Sequence, residues 1–190
     1  PDLVVSEHNG TGEGVSAPFA GMLGDILVVA GGCNFPDKPA AEGGIKKYYD
    51  RIYILRHPLD QGSKWEKAGK LPVPVAYGVS VTIPEGIVCV GGNNAMEELK
   101  TVYLLKWDEQ KSEVVVENLP SLPVAMDNMA GASDGKNIYV AGGNVNGKPA
   151  NRGFVYTMGD KGWRELPPFP GEPRLQPAGV VQNSAEQTRF

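Results

Sequence analysis

Apolar residues in this chain gather in runs of four or five, separated by polar stretches rich in glycine and proline, and nowhere recur at helical spacing. Three such runs, 26–30, 87–90 and 138–141, end at double glycines: Gly31-Gly32, Gly91-Gly92 and Gly142-Gly143. Further on, each is followed by a second run that carries an aromatic: Ile52-Tyr53-Ile54-Leu55, Val102-Tyr103-Leu104-Leu105 and Phe154-Val155-Tyr156. A segment closing on Leu-Pro comes next, at Leu71-Pro72, Leu119-Pro120 and Leu166-Pro167. The Leu-Pro steps lie 48 and 47 residues apart, and Tyr53, Tyr103 and Phe154 lie 50 and 51 apart. Self-similarity at such a period predicts repeated supersecondary units packed side by side. Sheets covered on both faces have inner strands that read as continuous apolar runs, as these do. The double glycine ends the second strand, where the backbone takes dihedrals that other residues avoid. Trp65 and Trp163, just before two of the Leu-Pro steps, are expected to fill space between units, with Val116 as a weaker wedge in the second repeat.

These marks resemble kelch blades, so the expected fold is all-β, a kelch-type β-propeller. The expected organisation is an arm at 1–16, blades at 17–72, 73–120 and 121–167, and the start of a further blade at 168–190. In that last stretch 178–181 reads as an innermost strand, and Gln187-Thr188-Arg189-Phe190 as the opening of a second strand. Three blades and a fraction are expected to leave two apolar faces bare. The remaining blades are accordingly expected from the rest of the protein or from another chain.

Composition narrows the classes. Apolar residues make up 41% of the 190, enough for a core, and the 25 glycines and 16 prolines fall between strands rather than in one tract. A net charge of −4 with no basic face argues against nucleic acid. No apolar stretch approaches the roughly 20 residues of a membrane span. Cys33 and Cys89 are too few for a disulfide framework, and Cys89 reads as a buried free thiol. His8 and His57, with scattered carboxylates, make no metal-ligand cluster, and no nucleophile elbow, phosphate loop or dinucleotide fingerprint is present.

Several strings go beyond generic kelch: Ala17-Pro18-Phe19-Ala20-Gly21, Gly43-Gly44-Ile45-Lys46-Lys47-Tyr48-Tyr49, Ala76-Tyr77-Gly78-Val79-Ser80, and Phe169-Pro170-Gly171-Glu172-Pro173-Arg174-Leu175-Gln176. Together they resemble the N-acetylneuraminate epimerases, the sialic acid mutarotases. Their order, closing-blade strings first and the opening-blade string last, is similar to the cyclically permuted mutarotases. The resemblance implies a propeller that is six-bladed when complete and interconverts the anomers of N-acetylneuraminic acid, in the periplasm of bacteria that scavenge it. The export signal would lie outside this chain. Such a reaction needs an acid and a base but no metal or other cofactor, and the implied partner is a small sugar acid.

Candidate residues follow from position. The first repeat spans 21 residues from Gly32 to Tyr53, against 11 in the other two, and its insertion carries Asn34, Asp37, Glu42, Lys46 and Lys47. An insertion confined to one repeat is often functional, although a solvated loop is the plain alternative. If the stretch is extended its faces alternate, so at most one of Lys46 and Lys47 should touch ligand, with Lys47 the candidate contact. Arg174 and Gln176 match the family's Pro-Arg-x-Gln string, and Arg174 is the expected carboxylate contact. Tyr77 opens one inner strand and Asp127-Asn128 another, where polar side chains need partners. Asn34, Asn93 and Asn144 recur after the double glycines as expected turn residues, with Asn34 also a candidate contact. Arg152 occupies the repeat position of an Arg in the family's proposed catalytic loop and is a further candidate. The catalytic acid and base are not assigned from these blades. A non-catalytic propeller that binds a protein, or a sugar in lectin fashion, is the competing reading.

Overall fold

The computed structural model describes residues 1–8, 11–183 and 188–190. Among the described residues there is no α-helix, only a 3-10 turn at Ala40–Glu42 inside the first-repeat insertion. Three four-stranded antiparallel sheets follow one another along the chain. The first blade is Phe19–Leu23, Ile26–Ala30, Arg51–Arg56 and Trp65–Lys70. The second is Val79–Ile83, Gly86–Val90, Val102–Asp108 and Glu113–Asn118. The third is Ala130–Ser133, Asn137–Ala141, Gly153–Thr157 and Arg164–Leu166. In each sheet the strands pair in sequence order, innermost to outermost, as a kelch-type β-propeller requires.

Register explains why both faces of the middle sheet are apolar. Ile87 pairs with Leu105 and Cys89 with Tyr103, and these four pack against Val28, Ile52 and Ile54 of the first blade. Val88 pairs with Leu104 and Val90 with Val102, and these turn the other way onto Ile138, Val140 and Phe154 of the third. Each fully buried side chain of this kind contributes roughly 1.5–3 kcal/mol. Tyr103 and Phe154 both face the blade before their own.

The wedge residues obey the same rule. Trp163 lies on Tyr156 with centroids 5.4 Å apart, and its Nε1–H donates to the Pro120 carbonyl at the end of the second blade. Trp65, opposite Leu55, has the corresponding place in the first blade, where its Nε1–H donates to the Pro1 carbonyl of the N-terminal arm. Val116 packs in the first core with Trp107, which the sequence pattern did not single out and over which the Arg56 guanidinium sits at 4.6 Å.

The faces expected to be bare are partly covered. The arm meets the first blade at Trp65, while 167–180 and Phe190 lie against the third, Phe190 stacking on Tyr139 at 5.4 Å. Residues 178–181 form no ladder. Among the described residues beyond it, Gln182–Asn183 pair with Thr188–Arg189, and Gln187 lies outside the described residues.

The double glycines adopt the positive φ anticipated for them, 60° and 103° at Gly91 and Gly92. A Cβ on Gly92 would stand 2.6 Å from the Ala76 carbonyl oxygen. The second glycine of each pair also reaches the next blade. Gly32, Gly92 and Gly143 donate their N–H to the carbonyls of Val75, Met126 and Arg174 at 2.7, 2.8 and 2.9 Å. Their own carbonyls accept from Tyr49, Leu99 and Ala150, which clamps the base of the loop leaving each second strand.

Candidate functional site

The residue two places before each inner strand is in the left-handed region: Ala17 at φ 51°, Tyr77 at 61° and Asn128 at 52°. Gln176, at 47°, extends the series to the trailing segment. These four form a ladder across the blades. Tyr77 N–H donates to the Ala17 carbonyl at 3.0 Å, Asn128 N–H to Tyr77 at 2.7 Å, and Gln176 N–H to Asn128 at 2.8 Å. Left-handed backbone at a residue other than glycine costs about 1–2 kcal/mol, and the repeated inter-blade bond offsets it. Three of the four are residues that the sequence singled out, so the ladder brings Tyr77, Asn128 and Gln176 to one end of the propeller.

A polar network is built on that frame. Asp127 is the one buried charged residue in the described core, 3% exposed. Its Oδ2 accepts from Asn93 Nδ2 at 2.6 Å, and its Oδ1 from Asn128 Nδ2 at 2.7 Å and Asn144 Nδ2 at 2.9 Å. Gln176 Nε2 donates in turn to Asn128 Oδ1 at 2.9 Å. A carboxylate can be kept out of water only with such partners. Asn93 and Asn144 were read as turn residues. Their backbones do pair across the turn, with Ala76 and Asp127, but their side chains hold the buried carboxylate.

Beside this network the first-repeat insertion returns as a short strand, with Cys33 opposite Tyr48 and Asn34 opposite Lys47. Both lysines line the groove beside the insertion, but they point differently from what was expected of Lys47. Lys47 is exposed, its Nζ 5.4 Å from the Tyr49 ring centroid, whereas Lys46 turns inward and donates from Nζ to Tyr77 Oη at 2.9 Å. The same ammonium stands 4.8 Å from the Tyr77 ring centroid and 5.7 Å from that of Phe35, and the Cys33 thiol is 3.6 Å from Tyr77 Oη. The bond to Tyr77 holds the Lys46 pKa above its ordinary value, against the desolvation that lowers it. Burial pushes the Tyr48 phenol up; Lys46 opposes the shift, while Cys33, Tyr77 and Asp127 reinforce it, so the insertion and the Asp127 network share one electrostatic neighbourhood.

The other candidates lie elsewhere. Asn34 ties down the arm, donating to Ser6 Oγ and the Gly14 carbonyl and accepting from Tyr49 Oη, all at 2.8 Å. Glu42 is exposed at the end of the 3-10 turn. Arg152, just before the third strand of its blade, pairs at 2.7 Å with Glu165 of the outermost strand, a bond that raises the pKa of Arg152 and lowers that of Glu165. Arg174 occupies the repeat position of the buried Val75 and Met126, its carbonyl accepting from Gly143 as theirs do from Gly32 and Gly92. Its guanidinium lies 5.5 Å from the Phe169 centroid and donates to the Glu172 carbonyl, within a cavity of about 660 Å³ between the third blade and the trailing segment. Among the described residues no three His, Cys, Asp or Glu side chains gather as metal ligands, and no helix is long and apolar enough to cross a membrane.

The arrangement offers amide, phenol and ammonium groups around one end of the propeller, the inventory that hydroxyl-rich anionic ligands call for. Comparison with known proteins points the same way. The profile of the family described as N-acetylneuraminate epimerase matches residues 1–114. A protein named N-acetylneuraminate epimerase from Brucella suis (strain ATCC 23445 / NCTC 10510) is 38% identical over 118 residues, which are 57% of this chain and 28% of that protein. One from Yersinia enterocolitica serotype O:8 / biotype 1B is 36% identical over 104 residues, 50% of this chain and 25% of its own length. One from Brucella melitensis biotype 1 is 38% identical over 106 residues, 50% and 26%. The chain thus spans little more than a quarter of the curated relatives it matches. Since the match over 1–114 takes in more than half of the 190 residues, the chain belongs to the N-acetylneuraminate epimerase family.

Proposed function

We propose that the protein carrying this chain is an isomerase that interconverts the α and β anomers of N-acetylneuraminic acid. One observation carries the reading: in a chain whose first 114 residues match that family, Tyr77, Asp127, Asn128 and Gln176 from successive repeats converge at one end of the propeller. The reaction opens and recloses a pyranose ring. A base takes the proton of the anomeric hydroxyl while an acid delivers one to the ring oxygen, and neither step calls for a metal or a redox cofactor. The blades described here supply binding and orientation. Gln176 is exposed and Asn128 and Tyr77 half-buried, so the hydrogen-bonding capacity their internal bonds leave is offered to sugar hydroxyls, and the buried Asp127 fixes Asn93, Asn128 and Asn144 in place. The working ring has six blades, the others coming from the rest of the protein or from a second chain, in the cyclically permuted order that the sequence strings suggest. The setting is the periplasm of a bacterium that recovers sialic acid.

The test is one-dimensional proton NMR on α-N-acetylneuraminate freshly released by a sialidase, with the protein at catalytic concentration. The α signal is expected to decay to the equilibrium ratio faster than in buffer. An unchanged rate alongside measurable binding of the sugar would make the propeller a lectin and end the isomerase reading.

A further inference from the structure

The insertion of the first blade and the loop of the second enclose a groove of about 530 Å³, within the size range of small-ligand sites. Two features set it apart. The first is an ammonium in no ion pair among the described residues: the half-buried Lys46 donates from Nζ to Tyr77 Oη at 2.9 Å. Asp37, on the rim, is exposed and forms no ion pair with it, and Lys47 brings a second, exposed cation to the same rim. A partly desolvated ammonium bonded to a phenol oxygen is an open position for an anion. The second is a pair of large apolar side chains exposed on the same groove, Ile45 at 77% from the insertion and Met96 at 92% from the second-blade loop. Exposed apolar side chains from two different loops, meeting at one depression next to a charge, mark a ligand surface.

We infer that this groove is a subsite for an N-acylated sugar acid, in which Lys46 holds the carboxylate and Ile45 and Met96 enclose the acyl methyl. The assignment rests on the reading of the substrate above and adds to it which residues recognise the acid and which the acyl group. It moves the carboxylate contact from Arg174, whose guanidinium is engaged at Phe169 and Glu172, to Lys46. The insertion that distinguishes the first repeat thereby acquires a purpose: it carries both the cation and half of the apolar rim.

The experiment measures ligand affinity by titration calorimetry and anomer exchange by NMR on the same samples. The ligands are N-acetylneuraminate, its methyl ester, and the nonulosonic acid with a hydroxyl in place of the acylamino group. Lys46→Met is expected to weaken the acid about ten- to hundredfold, the loss of a charge-assisted bond, and to leave the ester within about twofold. Lys46→Arg, which keeps the cation, restores most of the affinity, and a thermal melt checks that each variant is folded. Met96→Ser and Ile45→Ser are each expected to cut the preference for acetyl over hydroxyl by about three- to fivefold. Equal affinity of Lys46→Met and wild type for the acid, or equal losses for acid and ester, would overturn the inference even where exchange is accelerated. Affinity that depends on Lys46 without acceleration of exchange would sustain the inference and remove the isomerase. No binding of any of the three ligands would overturn both.

Discussion

Removing the Asp127 carboxylate should cost the protein a large part of its stability, because three side chains were folded around it. Asp127 is 3% exposed and takes N–H bonds of 2.6, 2.7 and 2.9 Å from Asn93, Asn128 and Asn144. A bond to a charged acceptor contributes about 1.5–3 kcal/mol net. The three are not additive, since they share one carboxylate and the half-buried asparagines can recover some water once it is gone. About 3–5 kcal/mol is therefore expected for Asp127→Ala, against a typical total of 5–15 kcal/mol. Asp127→Asn keeps the shape and one acceptor oxygen but points an NH2 at a former donor, and should cost about 2–3 kcal/mol. Equilibrium urea unfolding followed by tryptophan fluorescence reads both. A cycle pairing Asp127→Asn with Asn144→Ala should show coupling of about 1 kcal/mol or more, as groups in one network do. A cost below 1 kcal/mol for Asp127→Ala, or an additive cycle, would mean that the carboxylate is incidental to the end of the propeller.

Two further outcomes follow from the backbone and from burial. Gly92→Ala places a Cβ 2.6 Å from the Ala76 oxygen and 2.7 Å from Val75 Cγ2 at φ 103°, whereas a Cβ at Gly135, φ 95°, meets nothing within 4 Å. Thermal melts should show a loss of about 2–4 kcal/mol for the first and about 1 kcal/mol for the second. Cys89 is fully buried, and that burial raises its thiol pKa well above the ordinary value of 9.0. A raised folded pKa gives stability that is complete below the unfolded value and lost as pH rises, so the free energy of unfolding should fall by about 0.7 kcal/mol per pH unit at pH 9, steepening toward about 1.4 a unit higher. Cys89→Val should flatten that slope; a variant that keeps it would assign it to another group.

The repeat was legible because it is written in types that leave few choices. Paired glycines mark positive φ, and aromatics fifty residues apart mark a recurring face. Tyr103 and Phe154 each turn to the preceding blade, as the periodicity suggested without giving the direction. The site was legible where a polar residue interrupted an apolar strand opening, as at Asp127 and Asn128. It was not legible where a partner came from a distant loop. Asn93 and Asn144 look like turn residues because they are, and their second task depends on a carboxylate 34 and 17 residues away. The candidate Lys47 is exposed while its neighbour Lys46 reaches Tyr77, a difference that hung on the pairing of Cys33 with Tyr48, which the sequence of the insertion does not state. Aligned on the ladder residue two places on, Arg174 falls where Val75 and Met126 stand; those two are buried between blades, whereas Arg174 is exposed and lines the cavity beside the trailing segment.

The clamp at the foot of each loop separates what can vary from what cannot. Tyr49, Leu99 and Ala150 all return their N–H to the second glycine of the pair, so a connection of any length leaves and rejoins the sheet at the same two points. Stretching one such connection from 7 to 17 residues costs only about 0.8 kcal/mol of closure entropy. A lineage can thus try new rims above an unchanged frame, one loop at a time, and swap the ligand without refolding the wheel.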